Sequence, residues 1–264
     1  MLVILALTVF FACNQPEETV TSAPEKALQF SDDTVYFDTI FTQLKSITKR
    51  LRVYNPNKNA VNISTVSVSG NSNYSISVKG KKGNQNNVLL YGGDSMYVLV
   101  TVTIDPNQSN LPFVIEDSLQ FAVQGLAKPQ KVRLRAYGQN ATFLRDAEIC
   151  TTTWSDTLKP YIIINSLVVN PGCVLTINEG VKVKFLPNSF LIVGGTLIVN
   201  GTSKHPVTFN GFRKEPEFAR QSGQWGQIVF VGGSRNNKIN HAIIENAFRG
   251  IQTNVPEDGN QPVS

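Results

Sequence analysis

The chain has 264 residues, with Lys+Arg 24 and Asp+Glu 19, which gives a formal net charge of +5. Charged residues make up only 16% of it, against about 25% in typical soluble proteins, and this argues against a coiled coil or a charged disordered tail. The basic residues are scattered, so we expect no nucleic-acid partner. Two histidines and three cysteines are too few for a His/Cys metal cluster, and no metal or cofactor is expected.

The N-terminus begins with an apolar run over residues 2–12. This run is shorter than the about 20 residues that span a bilayer, but it suits the apolar core of a signal peptide. The small Ala12 precedes Cys13, and polar residues follow at once, a pattern that resembles a bacterial lipoprotein signal. The resemblance implies a signal peptide over residues 1–13, lipidation of Cys13 and a membrane anchor. The alternative is an ordinary cleaved signal peptide with an incidental cysteine.

Residues 14–26 are rich in Pro, Glu, Thr and Ser and have little to bury, so they predict a flexible stalk. Glu17 and Glu18 resemble the surface-export signal of Bacteroidetes lipoproteins. This resemblance implies a cell-envelope protein at the outer membrane, facing either outward or into the periplasm.

The cysteine count fits an oxidising compartment. If Cys13 is lipidated, Cys150 and Cys173 remain as an even pair, and a disulfide between them would contribute about 3 kcal/mol in the chain-entropy model. Two unrelated buried thiols are the alternative.

Residues 27–143 alternate short apolar-polar stretches with turn residues. Seven or so strands in about 110 residues are typical of a β-sandwich. The strand ending at residues 53–56 (VYNP), the turn at 92–95 (GGDS), residues 102–106 (VTIDP) and the closing 136–138 (AYG) resemble the immunoglobulin-like domains of the hydin type. That resemblance implies a fold and no chemistry.

Five aspartates are followed by Ser or Thr and then by an aliphatic residue or Met. This tripeptide resembles the O-glycosylation acceptor of exported Bacteroidetes proteins, which would make acceptors of Thr34, Thr39, Ser95, Ser118 and Thr157. The alternative is that Asp-Ser and Asp-Thr open strands after turns. A basic face is open to two interpretations as well, as a surface for acidic glycans or as a solvated strand edge; its residues are Lys49, Arg50, Arg52, Lys79, Lys81 and Lys82.

After a junction at residues 144–159, the pattern changes over residues 160–264. Apolar stretches punctuated by Gly recur with a loose period of 20-odd residues, and Leu175-Thr176-Ile177 aligns with Leu197-Ile198-Val199. Short strands repeated at such a period indicate a solenoid, and inward aliphatic side chains on each rung predict stacked parallel strands.

This repeat resembles the right-handed parallel β-helix family of exported bacterial proteins, which has the pectin-lyase-like fold. The fold class predicted for the chain is therefore all-β, an immunoglobulin-like β-sandwich followed by the first coils of a right-handed parallel β-helix. With about three coils and no amphipathic cap, we expect the β-helix to be incomplete.

Enzymes on this fold carry acidic ligands and paired carboxylates on the outer face of central coils, and no such pairing is evident here, so no catalytic residue is assigned. The excursion from 211 to 224 mixes aromatic and basic residues. These side chains would either bind an acidic sugar or pin the loop to the coils; they are Phe212, Arg213, Lys214, Phe218 and Arg220.

The sequence therefore predicts two alternative functions. The first is a lipid-anchored envelope protein whose β-helix binds glycan or surface partners without catalysis in this segment. The second is a fragment of a polysaccharide lyase or glycoside hydrolase whose catalytic coils lie beyond residue 264. The sequence leaves open whether the chain is an enzyme and favours the binding scaffold.

Overall fold

The computed structural model describes residues 19–70, 72–108, 111–213 and 218–255. These residues form strands and connecting turns only, and none of them lies in a helix that could cross a membrane. Two compact units are present. One holds the residues up to Val35, 48–100 and 117–134, and the other holds 36–47, 101–116 and the residues from Arg135 onward.

The first eleven strands build two sheets, in the orders β1-β5-β10-β11-β3, with β8 also paired to β5, and β2-β4-β9-β6-β7. Their bounds are β1 Val20–Thr21, β2 Gln29–Phe30, β3 Thr34–Phe41, β4 Lys49–Tyr54, β5 Ala60–Ser67, β6 Tyr74–Val78, β7 Lys81–Lys82, β8 Gln85–Leu90, β9 Ser95–Val102, β10 Phe113–Val123 and β11 Gln130–Gln139.

The alternation in sequence becomes alternation in burial. In β4, Leu51 and Val53 are buried, whereas Arg50 and Arg52 are exposed, because successive side chains of a strand point to opposite faces. The inner faces of the two sheets meet where the Phe30 ring in β2 packs against Phe121 in β10, at a centroid separation of 4.9 Å. This confirms the predicted sandwich.

The remaining strands form stacked parallel coils. Their bounds are β12 Thr142–Ile149, β13 Thr152–Trp154, β14 Tyr161–Val169, β15 Val174–Asn178, β16 Lys182–Phe185, β17 Phe190–Val193, β18 Thr196–Asn200, β19 Val207–Gly211, β20 Trp225–Val231, β21 Lys238–Asn240, β22 Ala242–Ile244 and β23 Ala247–Val255.

Every pairing among these strands is parallel, and it links equivalent positions of successive coils. Three columns result: β12-β14-β16-β19-β22, β12-β14-β17-β20-β23 and β13-β15-β18-β21. Leu175 pairs with Leu197, as the repeat predicts, and both are fully buried in the core of the coils. The parallel β-helix expected from the repeat is thereby confirmed.

Two predicted boundaries differ from the structure. The segment 144–159, predicted as a junction, contains most of β12 and all of β13, which already pair in parallel with β14 and β15. The predicted stalk includes β1, in which Val20 pairs with Ala60 of β5. Strand β10 pairs with β5 further along, from Ile63 to Ser67. The backbone N–H of Lys26 also donates to Asn57 Oδ1 at 2.9 Å, which ties down this end of the stalk.

The predicted disulfide is present. Cys150 follows β12, and Cys173 precedes β15, one coil later. Their Cα atoms are 4.7 Å apart, and the bond closes a sequence separation of 23 residues. Because adjacent parallel strands lie about 4.8 Å apart, the disulfide joins two vertically neighbouring positions and ties the first coil to the second.

Candidate functional site

The predicted ligand loop is only partly described. Lys214 lies outside the described residues, as does Cys13, the residue predicted to carry a lipid. The Arg213 guanidinium carbon lies 3.8 Å from the centroid of the Phe218 ring, so these two candidate ligand-binding side chains stack on each other. Phe212 is half-buried beside the coils, and its backbone N–H donates to Phe185 O at 3.0 Å. Arg220 is exposed.

The end of this excursion is held by two side-chain amides. Gln224 Nε2 donates to the carbonyl oxygens of Phe218 and Gln221. Asn246 Nδ2 donates to Ala219 O and to Gln221 O, both at 3.0 Å. Gln224 closes the loop on itself, and Asn246 satisfies loop carbonyls from the neighbouring coil, so the geometry matches a loop fastened to the side of the β-helix.

Three of the five proposed glycosylation acceptors share a local geometry at their aspartates. The backbone N–H of Ser95 donates to Asp94 Oδ1 at 2.6 Å, and that of Ser118 donates to Asp117 Oδ1 at 2.6 Å. The Thr39 N–H does the same with Asp38. These bonds give the three Asp-Ser/Thr pairs a structural role, at the start of β9 and within β3 and β10. Thr157 is exposed, and the other four acceptors are half-buried; their modification stays a prediction.

A groove on the outside of the coils brings together residues that the sequence analysis left unconnected. It has a volume of about 590 Å³, within the roughly 300–1,000 Å³ of small-ligand sites. The outward side of β16 supplies Lys182, which pairs with Thr208 of β19. The lining residues are Thr157, Glu179, Gly180, Lys182, Lys204, His205, Pro206 and Thr208.

Two stacked turns shape one wall of this groove. Thr202 Oγ1 donates to Glu179 Oε2 at 2.9 Å and accepts from the backbone N–H of His205 at 3.0 Å. The Gly180 N–H donates to His205 O at 3.0 Å. These bonds fix the Glu179 carboxylate against the turn of the next coil.

Gly180 keeps the groove open at its centre. Its φ is +72°, and a Cβ there would lie 3.3 Å from Thr157 Cγ2 and 3.8 Å from His205 Cβ. Thr157, Gly180 and His205 therefore occupy corresponding turns of three successive coils. A side chain at residue 180 would be strained and would fill the space between its two neighbours.

The groove carries more positive than negative formal charge. Lys182 and Lys204 are both exposed, and neither has an ion-pair partner among the described residues. Glu179 contributes the carboxylate, while Thr157 and Thr208 contribute hydroxyl groups. Ammonium groups bind carboxylates and sulfates as point charges, and the carboxylate and hydroxyls suit the hydroxyl groups of a sugar.

The sequence alone predicts no functional role for Glu179, His205, Lys182 or Lys204. The available signal was the repeat itself, because residues 20-odd positions apart become vertical neighbours. Glu179 and Thr202 stand in that relation, as do Lys182 and Thr208. Among the residues that the structure describes, no group of three or more His, Cys, Asp or Glu side chains is placed to hold a metal ion.

The fold and the groove define a class: an all-β chain in which a β-sandwich precedes a parallel β-helix with a polar outer groove. Residues 147–256 match a family model described as a pectate-lyase like beta helix domain. The chain is also 33% identical over 105 residues to Protein bark beetle of Drosophila melanogaster. That stretch covers 39% of this chain and 3% of the length of the curated relative.

Two solved structures are similar to part of the chain. A protein of unknown function from Porphyromonas gingivalis is 14% identical, with 46% of this chain and 59% of that chain covered and a TM-score of 0.32. A family 123 glycoside hydrolase from Clostridium perfringens is 10% identical, with 44% and 26% covered and a TM-score of 0.31.

Proposed function

We propose that this chain is a lipid-anchored protein of the bacterial cell envelope whose β-helix binds anionic glycans. The outer groove between β16 and β19 is the observation that carries the proposal. Its two unpaired lysines would bind the carboxylate or sulfate of an acidic sugar, and Glu179 with the two threonines would bind sugar hydroxyls. The turn bonds that fix Glu179 reduce the ordering needed when a ligand binds.

The anchor is the part of the proposal that rests on the sequence. Cys13 would carry the lipid at the outer membrane, on the pattern of Bacteroidetes lipoproteins, and a hydin-like sandwich would lie between Cys13 and the coils in the order of the chain. Cys13→Ala is expected to release the protein from the membrane fraction when cells are fractionated. Unchanged membrane association would contradict the anchor and leave the groove unaffected.

The groove is tested by binding on an array of acidic and neutral glycans. The double variant Lys182→Met/Lys204→Met should weaken retention of acidic glycans about tenfold, since it removes two charge-assisted contacts. The matched control is Arg235→Met/Lys238→Met, which removes the same charge from exposed positions outside the groove. An equal loss in both double variants would show nonspecific attraction and overturn the proposal.

A second candidate function is that of a polysaccharide lyase or glycoside hydrolase. The match of residues 147–256 to a pectate-lyase like model favours it. The groove also holds three types of titratable side chain used in acid–base chemistry. Release of unsaturated uronates from polygalacturonate, followed by ultraviolet absorbance and lost in Lys182→Met, would establish a lyase, and release of saturated reducing ends would establish a hydrolase.

A further inference from the structure

The outer face of the second sandwich sheet displays an arginine fixed between two aromatic rings. Arg52 in β4 lies opposite Tyr97 in β9. Its guanidinium carbon is 4.9 Å from the Tyr54 ring centroid and 5.7 Å from that of Tyr97. Its Nε donates to Ser95 Oγ at 3.0 Å, so the side chain is held by one hydrogen bond and two cation–π contacts.

The backbone beneath this arginine is fixed as well. The Arg52 N–H donates to Ser31 Oγ at 3.1 Å, and the Ser31 N–H donates to Arg52 O at 2.9 Å. A free arginine side chain loses rotamer entropy when it is immobilised. Since much of that ordering is already present here, Arg52 is preorganised for binding.

The terminal amino groups of Arg52 remain available. In the described part of the chain, Nε has a hydrogen-bond partner and the two terminal nitrogens have none. No carboxylate in that part forms an ion pair with Arg52. Asp94, the nearest acidic residue in sequence to Ser95, directs Oδ1 to the Ser95 backbone N–H instead. A guanidinium fork with unused N–H groups matches the two oxygens of a carboxylate or sulfate.

An apolar, partly exposed surface lies beside this fork. Tyr97 is 49% exposed and Leu99, two residues along the same strand, is 37% exposed. Arg50 lies opposite Leu99 and adds a second positive charge to the face. An exposed aromatic ring next to an anion-binding fork offers two contacts at once, with a flat ring and with its charged substituent.

We propose that Arg52, Tyr54 and Tyr97 form a second binding site, on the sandwich, for a sugar ring that bears a carboxylate or a sulfate. Arg52 binds the anionic group, and the exposed Tyr97 ring stacks on the sugar. The charge of the face and the aromatic surface select an acidic saccharide over a neutral one. This site lies in the sandwich sheet β2-β4-β9-β6-β7, and it shares no residue with the groove on the coils.

The test uses the full chain carrying Lys182→Met/Lys204→Met, so that any binding at the groove is suppressed. Calorimetric titration with a sulfated heparin oligosaccharide and with a galacturonate oligosaccharide distinguishes the two anionic groups, and a neutral maltodextrin controls for stacking alone. We expect at least one acidic sugar to bind and the maltodextrin not to bind. Adding Arg52→Met should weaken binding about tenfold, and adding Tyr97→Leu about fivefold.

Arg133→Met is the matched control, because Arg133 is an exposed arginine on β11, in the other sheet. It should leave the affinity unchanged, and thermal melting should show that every variant is folded. Three results would overturn the site: no binding once the groove lysines are removed, equal weakening by Arg133→Met and Arg52→Met, or unchanged affinity in Tyr97→Leu. Loss of the groove function alone would leave the titration of this site intact.

Discussion

The sandwich and the coils bury their apolar side chains by different rules. In the sandwich, Phe121 of β10 meets Phe30 of β2, a residue far away in sequence and on the opposing sheet. In the coils, Leu167 pairs with Leu191, which in turn pairs with Ile228. Each core residue of the β-helix therefore sits on the equivalent residue of the coil before it.

Because of this difference, the sequence repeat by itself predicts which core residues of the coils pack on each other. The core of a sandwich forms between two sheets. No short sequence pattern specifies which residues of the two sheets face each other. A solenoid core needs only that each repeat bury its face against its neighbours. Substitutions in the coils should therefore act locally, at the rungs adjoining the changed residue, and leave the sandwich in place.

The largest expected effect comes from removing Trp225 from the coil core. Its ring stacks on Phe185 at a centroid separation of 3.9 Å, and its Nε1 donates to Glu245 O at 2.8 Å. Trp225→Ala should lower the free energy of unfolding of the coils by about 3–5 kcal/mol, because it leaves a cavity and an unpaired carbonyl. Urea denaturation measures the loss.

Hydrogen exchange then locates the effect of this substitution. Amide protection should fall in β16 to β23 and persist in β4 and β9. Trp225→Phe is the matched variant, since it keeps an aromatic ring but loses the hydrogen bond and part of the buried volume, and it should lower stability less, by about 1–2 kcal/mol. Equal protection loss in the sandwich strands would contradict the local behaviour predicted for the coils.

A smaller loss of stability is expected at one corner of the coils, where two adjacent glycines can be compared directly. A Cβ at Gly195 would lie 2.2 Å from the Cys173 backbone oxygen, whereas one at Gly194 would meet nothing closer than 3.3 Å. Gly195→Ala should lower the stability of the coils by about 1–3 kcal/mol, as overpacking does, and Gly194→Ala by less. Thermal melting compares the two variants, and equal melting temperatures would show that the corner relaxes freely.

Much of the coil architecture follows from the sequence, and the reason is the repeat. The alignment of residues 175–177 with 197–199 is the pairing that β15 and β18 adopt. Cys150 and Cys173 are one coil apart, so their pairing follows from the same period. Leu191 and Val193 lie two residues apart on one face of a strand, and the sequence pattern likewise predicts that both are buried, as they are.

Other features depend on contacts that no local pattern records. Ile162 and Ile164 alternate with the inward Ile163, yet they too are buried, in a second cluster with Phe41. The apolar run at 161–164 indicated a strand without showing what covers its outer side. In the groove, Lys204 lies in a turn rather than on a repeat position, and the Arg52 stack depends on the antiparallel register of β4 and β9.

The smallest expected effect belongs to the sandwich and depends on pH. Burial alone would raise the pKa of Asp117, but hydrogen bonds from Ser72, Ser118 and Ser69 outweigh it and lower the pKa below its ordinary value. Since folding favours the carboxylate, its contribution to stability is present above the unfolded pKa of about 3.9. That contribution is lost as the pH falls through the lower folded pKa.

Asp117→Asn should therefore be less stable than the parent chain at neutral pH, and the difference should shrink in acid, where the parent carboxyl is protonated as well. Urea midpoints measured from about pH 7 down to about pH 2 follow this difference across the titration. Asp105→Asn is the control, because Asp105 is exposed in the structure. If the two substitutions behaved alike at every pH, the serine hydrogen bonds would contribute no stability, and the Asp-Ser pair at this strand would lose its structural explanation.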